Sequence, residues 1–211
     1  MRKLLYVPMV HNQTDMGSMG NELSKEGEKT YGVAIWQDHL VQVNKSWLKI
    51  ESEVFKRVNL VPAGKIKIYQ DGLPVVDETG IKIVKDTAEK GSINYKIIAE
   101  LLLRGAKLEL AENKEYLFQE YYLLSDITKA ESPEKALVAY HIYMDLAGDL
   151  LLNRDRFIAG QINETLNEGD TGLAFFGASH HILSNLDSDI EVDMIQMFTD
   201  PISLKLMQVS S

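Results

Sequence analysis

Cysteine does not occur anywhere in this chain of 211 residues. Disulfides, thiolate nucleophiles, iron–sulfur clusters and cysteine-ligated zinc are thereby excluded. Basic charge is in the minority, with 22 Lys and Arg against 31 Asp and Glu and a formal net charge of -9. A pI near 5.1 has the wrong sign for a phosphate backbone or an anionic membrane, so neither nucleic acid nor a membrane is an expected partner. No apolar run approaches the ~18 residues that a membrane-spanning helix needs. The basic start Met1-Arg2-Lys3 leads into an apolar stretch, but Pro8 interrupts it and no small-residue cleavage site follows, so a cytoplasmic protein is expected. The chain also lacks G-x-G-x-x-G after its first strand and G-x-x-x-x-G-K-[ST] throughout, which removes the usual dinucleotide and P-loop cradles.

What is present is ample material for a core: 45% of residues are apolar and the mean hydropathy is -0.14. A chain of this length buries about 70% of the surface its unfolded form exposes, and one domain over residues 1–211 is expected. Leu4 to Val10 is continuously apolar, as in a strand covered on both faces. After a polar, glycine-containing stretch from Asn12 to Gly32, the apolar positions from Val33 to Val58 recur at helical spacing. Lys65 to Tyr69 is the second strand, Ser92 to Arg104 a helix closed by Gly105, and Lys107 to Leu110 the third strand. The stretch from Glu112 to Glu131 is helical through Tyr116, Leu117, Glu120, Tyr121 and Leu124. Ser132-Pro133 starts another helix, since the serine caps and proline tolerates the first turn. It runs to about Leu166 as one long helix or two in succession, with Gly148 and Gly160 as interruptions. Leu173 to Phe176 is the most apolar strand, and Asp189 to Phe198 supplies a fifth. Strands alternating with helices predict an α/β fold, a mostly parallel sheet of about five strands flanked by helices.

Ligands in such sheets bind outside the carboxyl ends of the strands. Strand one ends in His11-Asn12-Gln13 with Asp15 behind, strand two in Gln70-Asp71, strand three in Glu112-Asn113, and strand four in Ser179-His180-His181. If the strands are neighbours, these groups meet at one rim. His11, Asp71, Glu112 and His180 then form the candidate metal ligands, a set suited to Mn, Zn or Co with positions open to water or substrate. Gln70, Asp71, Ser179 and His181 are the candidate substrate contacts. Adjacent side chains point apart, so only one of His180 and His181 is expected in the site. His39 and His141 fall within helices and are read as ordinary packed or surface residues. Trp36, Trp47 and Tyr121-Tyr122 are read as core or helix–helix contacts. Gly177-Ala178-Ser179-His180-His181 approaches the G-x-S-x-G elbow, but its last position is His181 and no histidine follows to act as base, which argues against a serine hydrolase.

The run Asn153-Arg154-Asp155-Arg156-Phe157-Ile158-Ala159, then Ile162 to Leu166, then Gly172-Leu173-Ala174-Phe175-Phe176-Gly177-Ala178-Ser179-His180, resembles the C-terminal signature of TraB-like proteins. That group extends to erythromycin-esterase-like and ChaN-like proteins, in which an Arg-Asp pair opens a helix leading to an apolar strand that ends in G-x-x-H. The first strand, ending at His11, resembles the group's N-terminal strand-then-His element. The resemblance implies an α/β core with a catalytic site built from His11, Arg154, Asp155, His180 and nearby carboxylates, and a metal-dependent esterase or peptidase activity in some relatives, haem or iron handling in others. On that reading Arg154 binds an anionic group of the substrate, oriented by Asp155 or another carboxylate. Two further readings stand beside it. The same cleft would hold a small anion or a metal without turnover, as a regulatory module; or Arg154 and Asp155 would form an internal ion-pair network that locks the long helix to the sheet. The long helices and the aromatic stretch from Tyr116 to Tyr143 carry apolar faces that a second copy would cover, so a homodimer is the expected assembly.

Overall fold

The computed structural model describes residues 1–10, 14 and 20–195. Its five strands are β1 (Arg2–Met9), β2 (Ile66–Gln70), β3 (Lys107–Leu108), β4 (Thr171–Gly177) and β5 (Ile190–Met194). They pair in the order β3-β2-β4-β1-β5, every pair parallel. Between them run α1 (Gly20–Tyr31), α2 (Val33–Val58), α3 (Glu78–Glu89), α4 (Ile93–Leu103), α5 (Lys114–Thr128) and α6 (Pro133–Thr165). This is the α/β architecture that the alternation predicts. Among the described residues no helix is long and apolar enough to cross a membrane.

Alternation along each strand sorts the core into two layers. Leu5, Val7, Met9, Ile68, Leu173 and Phe175 face α2, α3 and α4, where Val43, Trp47, Ile50, Val54, Val84, Ile97, Ile98 and Leu101 meet them. Leu4, Tyr6, Tyr69, Ala174 and Phe176 face the other way, onto Ile158, Ala159 and Ile162 of α6. The central strand β4 is buried along its whole length, which is why its sequence is continuously apolar.

Helix starts follow local chemistry. Asp77, Ser92, Asn113 and Ser132 each accept a backbone N–H of the following turn, and Pro133 occupies the first turn of α6. The structure resolves the long C-terminal helix as one element of 33 residues, uninterrupted at Gly148 and Gly160. Two helices were not expected. The polar stretch before Gly32 holds α1, whose sequence carries few apolar positions to announce it. α3 buries only Gly80, Val84 and Ala88, a stripe too small to stand out from its charged neighbours. β3 is shorter than expected because it is an edge strand that pairs only with β2. The fifth strand covers Ile190–Met194, and the remainder of its expected span, from residue 196 on, lies outside the described residues. Trp47 is fully buried, and Trp36 ties α2 to α1 through a hydrogen bond from its indole to Ser24 Oγ at 3.0 Å. Tyr121 and Tyr122 depart from expectation: they are 40% and 63% exposed, because the inward face of α5 is taken by other residues.

Gly172 shows how tightly the sheet is covered. A Cβ there would lie 2.7 Å from Leu4 Cδ1 and 3.3 Å from both Leu166 Cδ1 and Tyr69 Cε2. Gly172→Ala is therefore expected to lower the unfolding free energy by about 1–3 kcal/mol, the usual range for overpacking, in urea titrations followed by circular dichroism.

Candidate functional site

The carboxyl ends of β2, β4 and β3 deliver the polar residues. Gln70 is in register with Phe175, and the chain then turns at Gly72, whose φ of 72° is a conformation that glycine adopts without strain. The Asp71 N–H donates to Phe175 O at 2.9 Å, so Asp71 stays aligned with β4 as the strand ends. Beyond β3, the Glu109 N–H donates to Ile68 O, and Glu112 follows immediately before the capping Asn113 of α5. Beyond β4, the His180 N–H closes a turn onto Gly177 O at 3.0 Å. α6 crosses this edge with Arg154 and Asp155 on the stripe it buries.

These residues form one connected, buried cluster. Arg154 Nη2 donates to Asp71 Oδ1 at 2.9 Å and to Glu112 Oε1 at 2.5 Å, while its Nε reaches Glu112 Oε2 at 3.3 Å. Its Nη1 donates to Glu120 Oε2 of α5 at 2.6 Å. Asp155 meets His180 instead: its Oδ1 lies 2.5 Å from His180 Nδ1, and its Oδ2 accepts the His181 N–H at 2.8 Å. His180 Nε2 faces Asp71 Oδ2 at 3.6 Å, and that oxygen also accepts the Gly177 N–H at 2.8 Å. Four carboxylates thus surround two cationic groups.

The electrostatics follow from burial and this excess of negative charge. Burial, with the Asp71 charge adding to it and Arg154 opposing, pushes Glu112 up to about 7. Burial works against the charged form of His180, but the Asp71 carboxylate and the hydrogen bond that Nδ1–H donates to Asp155 outweigh it and raise the ring to about 10. Arg154 is likewise held more firmly protonated, burial being overcome by Asp71 and Glu112. Tyr6 on β1, buried on the face of the sheet that α6 covers, is shifted upward by burial and by the charges of Asp155 and Asp71.

Five sequence-predicted residues, Asp71, Glu112, Arg154, Asp155 and His180, are brought together. His11 and Asp15 lie outside the described residues. His181 contributes its backbone N–H rather than its ring, and the residue is exposed, as the divergence of neighbouring side chains requires. Gln70 turns to the opposite face of the sheet, where its Oε1 accepts from Asn94 Nδ2 at 3.2 Å and its Nε2 donates to Asp71 O at 3.0 Å. Strand alternation puts Asp71 and Gln70 on different faces, which corrects the reading of Gln70 as a substrate contact. Ser179 is half-buried in the turn after β4. The expected anion-binding role of Arg154 is also corrected. Only 5% exposed, it has its charge met by Asp71, Glu112 and Glu120, and Asp155 is committed to His180. Glu120 and Tyr6 were missed as site residues. The signal for Glu120 was a charge within the half-buried stripe Tyr116, Leu117 and Leu124; for Tyr6, a hydroxyl inside an otherwise apolar strand.

Asp71, Glu112 and His180 each offer a ligand atom, and these atoms lie within 4.8 Å of one another, so the buried group is able to hold a metal ion. The donor chemistry fits: two carboxylates with one imidazole suit a divalent transition ion, and the surplus of carboxylates over cations favours one more positive charge. Comparison with protein-family models, curated proteins and solved structures finds no match to this chain.

Two outcomes are expected of the metal-free protein. Arg154→Met leaves Asp71 and Glu112 as uncompensated buried charges and should cost about 3–5 kcal/mol in chemical unfolding. Because both Glu112 and His180 bind their protons more tightly folded than unfolded, each withdraws stability as pH rises, Glu112 from about 4.5 to 7 and His180 from about 6.5 to 10. Urea titrations across that range should show the wild-type decline flattened in the lower window by Glu112→Gln and in the upper window by His180→Gln.

Proposed function

We propose that the protein is a metal-assisted enzyme of the hydrolase type, acting on an ester or peptide bond, with its ion held by Asp71, Glu112 and His180 Nε2. The observation that carries this reading is the pairing of His180 Nδ1 with Asp155 at 2.5 Å, which leaves Nε2 directed at Asp71 Oδ2 within a trio of buried ligand atoms. A histidine that ligates a metal almost always gives its other ring nitrogen to a carboxylate, and Asp155 supplies that partner. Mn, Zn and Co are the ions that this mixed oxygen and nitrogen set accommodates. A bound ion would supply Lewis-acid polarisation of a carbonyl and an acidified water at neutral pH.

The chain's own groups have distinct parts in this scheme. Asp155 fixes the ring of His180 and selects its tautomer. His180 must release its proton before Nε2 can ligate, so metal uptake is coupled to proton release. Arg154 is a positioning residue: its fork aligns Asp71 and Glu112 and limits how much like charge they present to each other. Glu112, buried and raised to about 7 in the metal-free protein, must likewise give up its proton to ligate. The similarity of the Arg154-Asp155 helix and the Gly177-to-His180 turn to TraB-like proteins supports the same assignment.

A second reading is favoured by one observation, the saturation of Arg154 by three carboxylates from the turn after β2, the β3–α5 connection and α5. On that reading the cluster is a structural lock between α6 and the sheet, without turnover. Titration calorimetry of the chelator-treated protein with Mn²⁺, Zn²⁺ and Co²⁺, beside a panel of ester and peptide substrates, separates the two. The enzyme reading expects binding of at least one ion, metal-dependent hydrolysis, loss of both in Asp71→Asn and His180→Ala, and about 10–100-fold weaker binding in Asp155→Asn. Absence of binding, or binding unchanged in all three variants, would leave the structural lock.

A further inference from the structure

β2 turns Ile66, Ile68 and Gln70 to the face that α2, α3 and α4 cover. The two isoleucines join the apolar layer there, whereas Gln70, only 2% exposed, carries an amide into it. Asn94, the second residue of α4, meets that amide and is itself fully buried. Its place is set by the cap of the helix, where Ser92 Oγ accepts the Tyr95 N–H at 3.2 Å. Burying two amides among apolar side chains is unfavourable unless both halves of each are hydrogen-bonded, and Asn94 Oδ1 has no partner among the described residues. The donor half of Asn94 is therefore the half to account for.

The neighbours fix how both amides are turned. Asp71 O can only accept, so the nitrogen of Gln70 faces it, and Nε2 donates at 3.0 Å. Gln70 Oε1 is left towards Asn94, whose Nδ2 donates to it at 3.2 Å and lies 3.2 Å from Met9 Sδ at the end of β1. The last link of this relay is the peptide between Asp71 and Gly72. Its carbonyl accepts from Gln70, and its N–H donates to Glu112 Oε1 at 3.4 Å on the side of the sheet that holds the charged cluster.

Packing does not pin that peptide. Gly72 is exposed, and a Cβ there would meet nothing within 4 Å. Glycine also takes its φ of 72° about as readily as the negative φ that follows when the plane turns over. A turned peptide would withdraw the N–H from Glu112 and aim the Asp71 carbonyl at a cluster in which carboxylates already outnumber cationic groups. Asp71 and Glu112, two of the three candidate ligands, both depend on this one plane. We propose that Gln70 and Asn94 are positioning residues, which hold the Asp71–Gly72 peptide from the opposite face of the sheet so that its N–H serves Glu112 and its carbonyl stays turned away from the ligand carboxylates. The consequence for ion binding rests on the proposed function; the hold on the peptide does not.

Two measurements on Gln70→Met, which keeps the length of the side chain and removes its amide, test the assignment separately. In the chelator-treated protein, the Gly72 amide proton should move upfield in ¹H–¹⁵N spectra as its hydrogen bond to Glu112 is lost, while the amides of Leu173 and Phe175 in β4 stay in place. In titration calorimetry with Mn²⁺ and Zn²⁺, the variant should bind the ion that the wild type takes about tenfold more weakly, the lower end for partners that orient metal ligands. Asn94→Ala, which leaves Gln70 present but unheld, should shift the same resonance, and it decides the matter if Gln70→Met does not fold. A Gly72 resonance unmoved in the folded variants, shifts spread evenly along β4, or ion affinity unchanged in Gln70→Met would overturn the proposal. A wild type that binds neither ion removes the proposed activity instead, and the Gly72 resonance then decides the role of Gln70 and Asn94 alone.

Discussion

The carboxyl edge of the sheet is organised around the charge of one guanidinium buried beneath the long helix. Arg154 reaches Asp71 after β2, Glu112 before α5 and Glu120 within α5, so one side chain joins three separate parts of the chain to α6. A buried charge is tolerated only when it is paired and hydrogen-bonded, and this one is met on both Nη atoms and Nε. The same pairing makes it possible for Asp71 and Glu112 to lie close together. Without a cation between them, two buried carboxylates at that separation would repel, and one would take up a proton.

The second ion pair depends on the first. Asp71 divides its oxygens: Oδ1 serves Arg154, while Oδ2 accepts the Gly177 N–H and faces His180. Asp155, next in sequence to Arg154, completes the arrangement by holding His180 from the other side of the ring. Neighbouring residues on one helix thus address different partners, because successive side chains on a helix diverge by about 100°. The result is an imidazole fixed in orientation and kept charged, in a setting where a metal ion and a proton compete for the same nitrogen.

Expectations drawn from the strands succeeded where burial was continuous. Leu4 to Val10 and Leu173 to Phe176 announced buried parallel strands because both faces of each are covered, so every residue had to be apolar. Ser132-Pro133 marked the start of α6 because capping and proline tolerance are local properties of a few consecutive residues. α1 and α3 escaped notice for the converse reason: their sequences show too small an apolar stripe, and helices of that kind are decided by what they pack against. Gln70 was misplaced because the strand end alone does not say which face a side chain takes; pairing and alternation do. Glu120 lay in plain view within a helical stripe, but its partner stands 34 residues further along the chain.

Composition excluded thiol chemistry outright, since that depends on an atom the chain either carries or does not. Periodicity and turn residues likewise determined the α/β alternation, being set by neighbours a few residues apart. The meeting of Asp71, Glu112, Arg154, Asp155 and His180, and the division of Arg154 and Asp155 between different partners, belonged to tertiary structure alone. Asp71 and Gly177, 106 positions apart, become hydrogen-bonded only once strand order and register are in place. Distance along a chain carries no record of distance in space, and the strength of a buried charge pair depends on the latter.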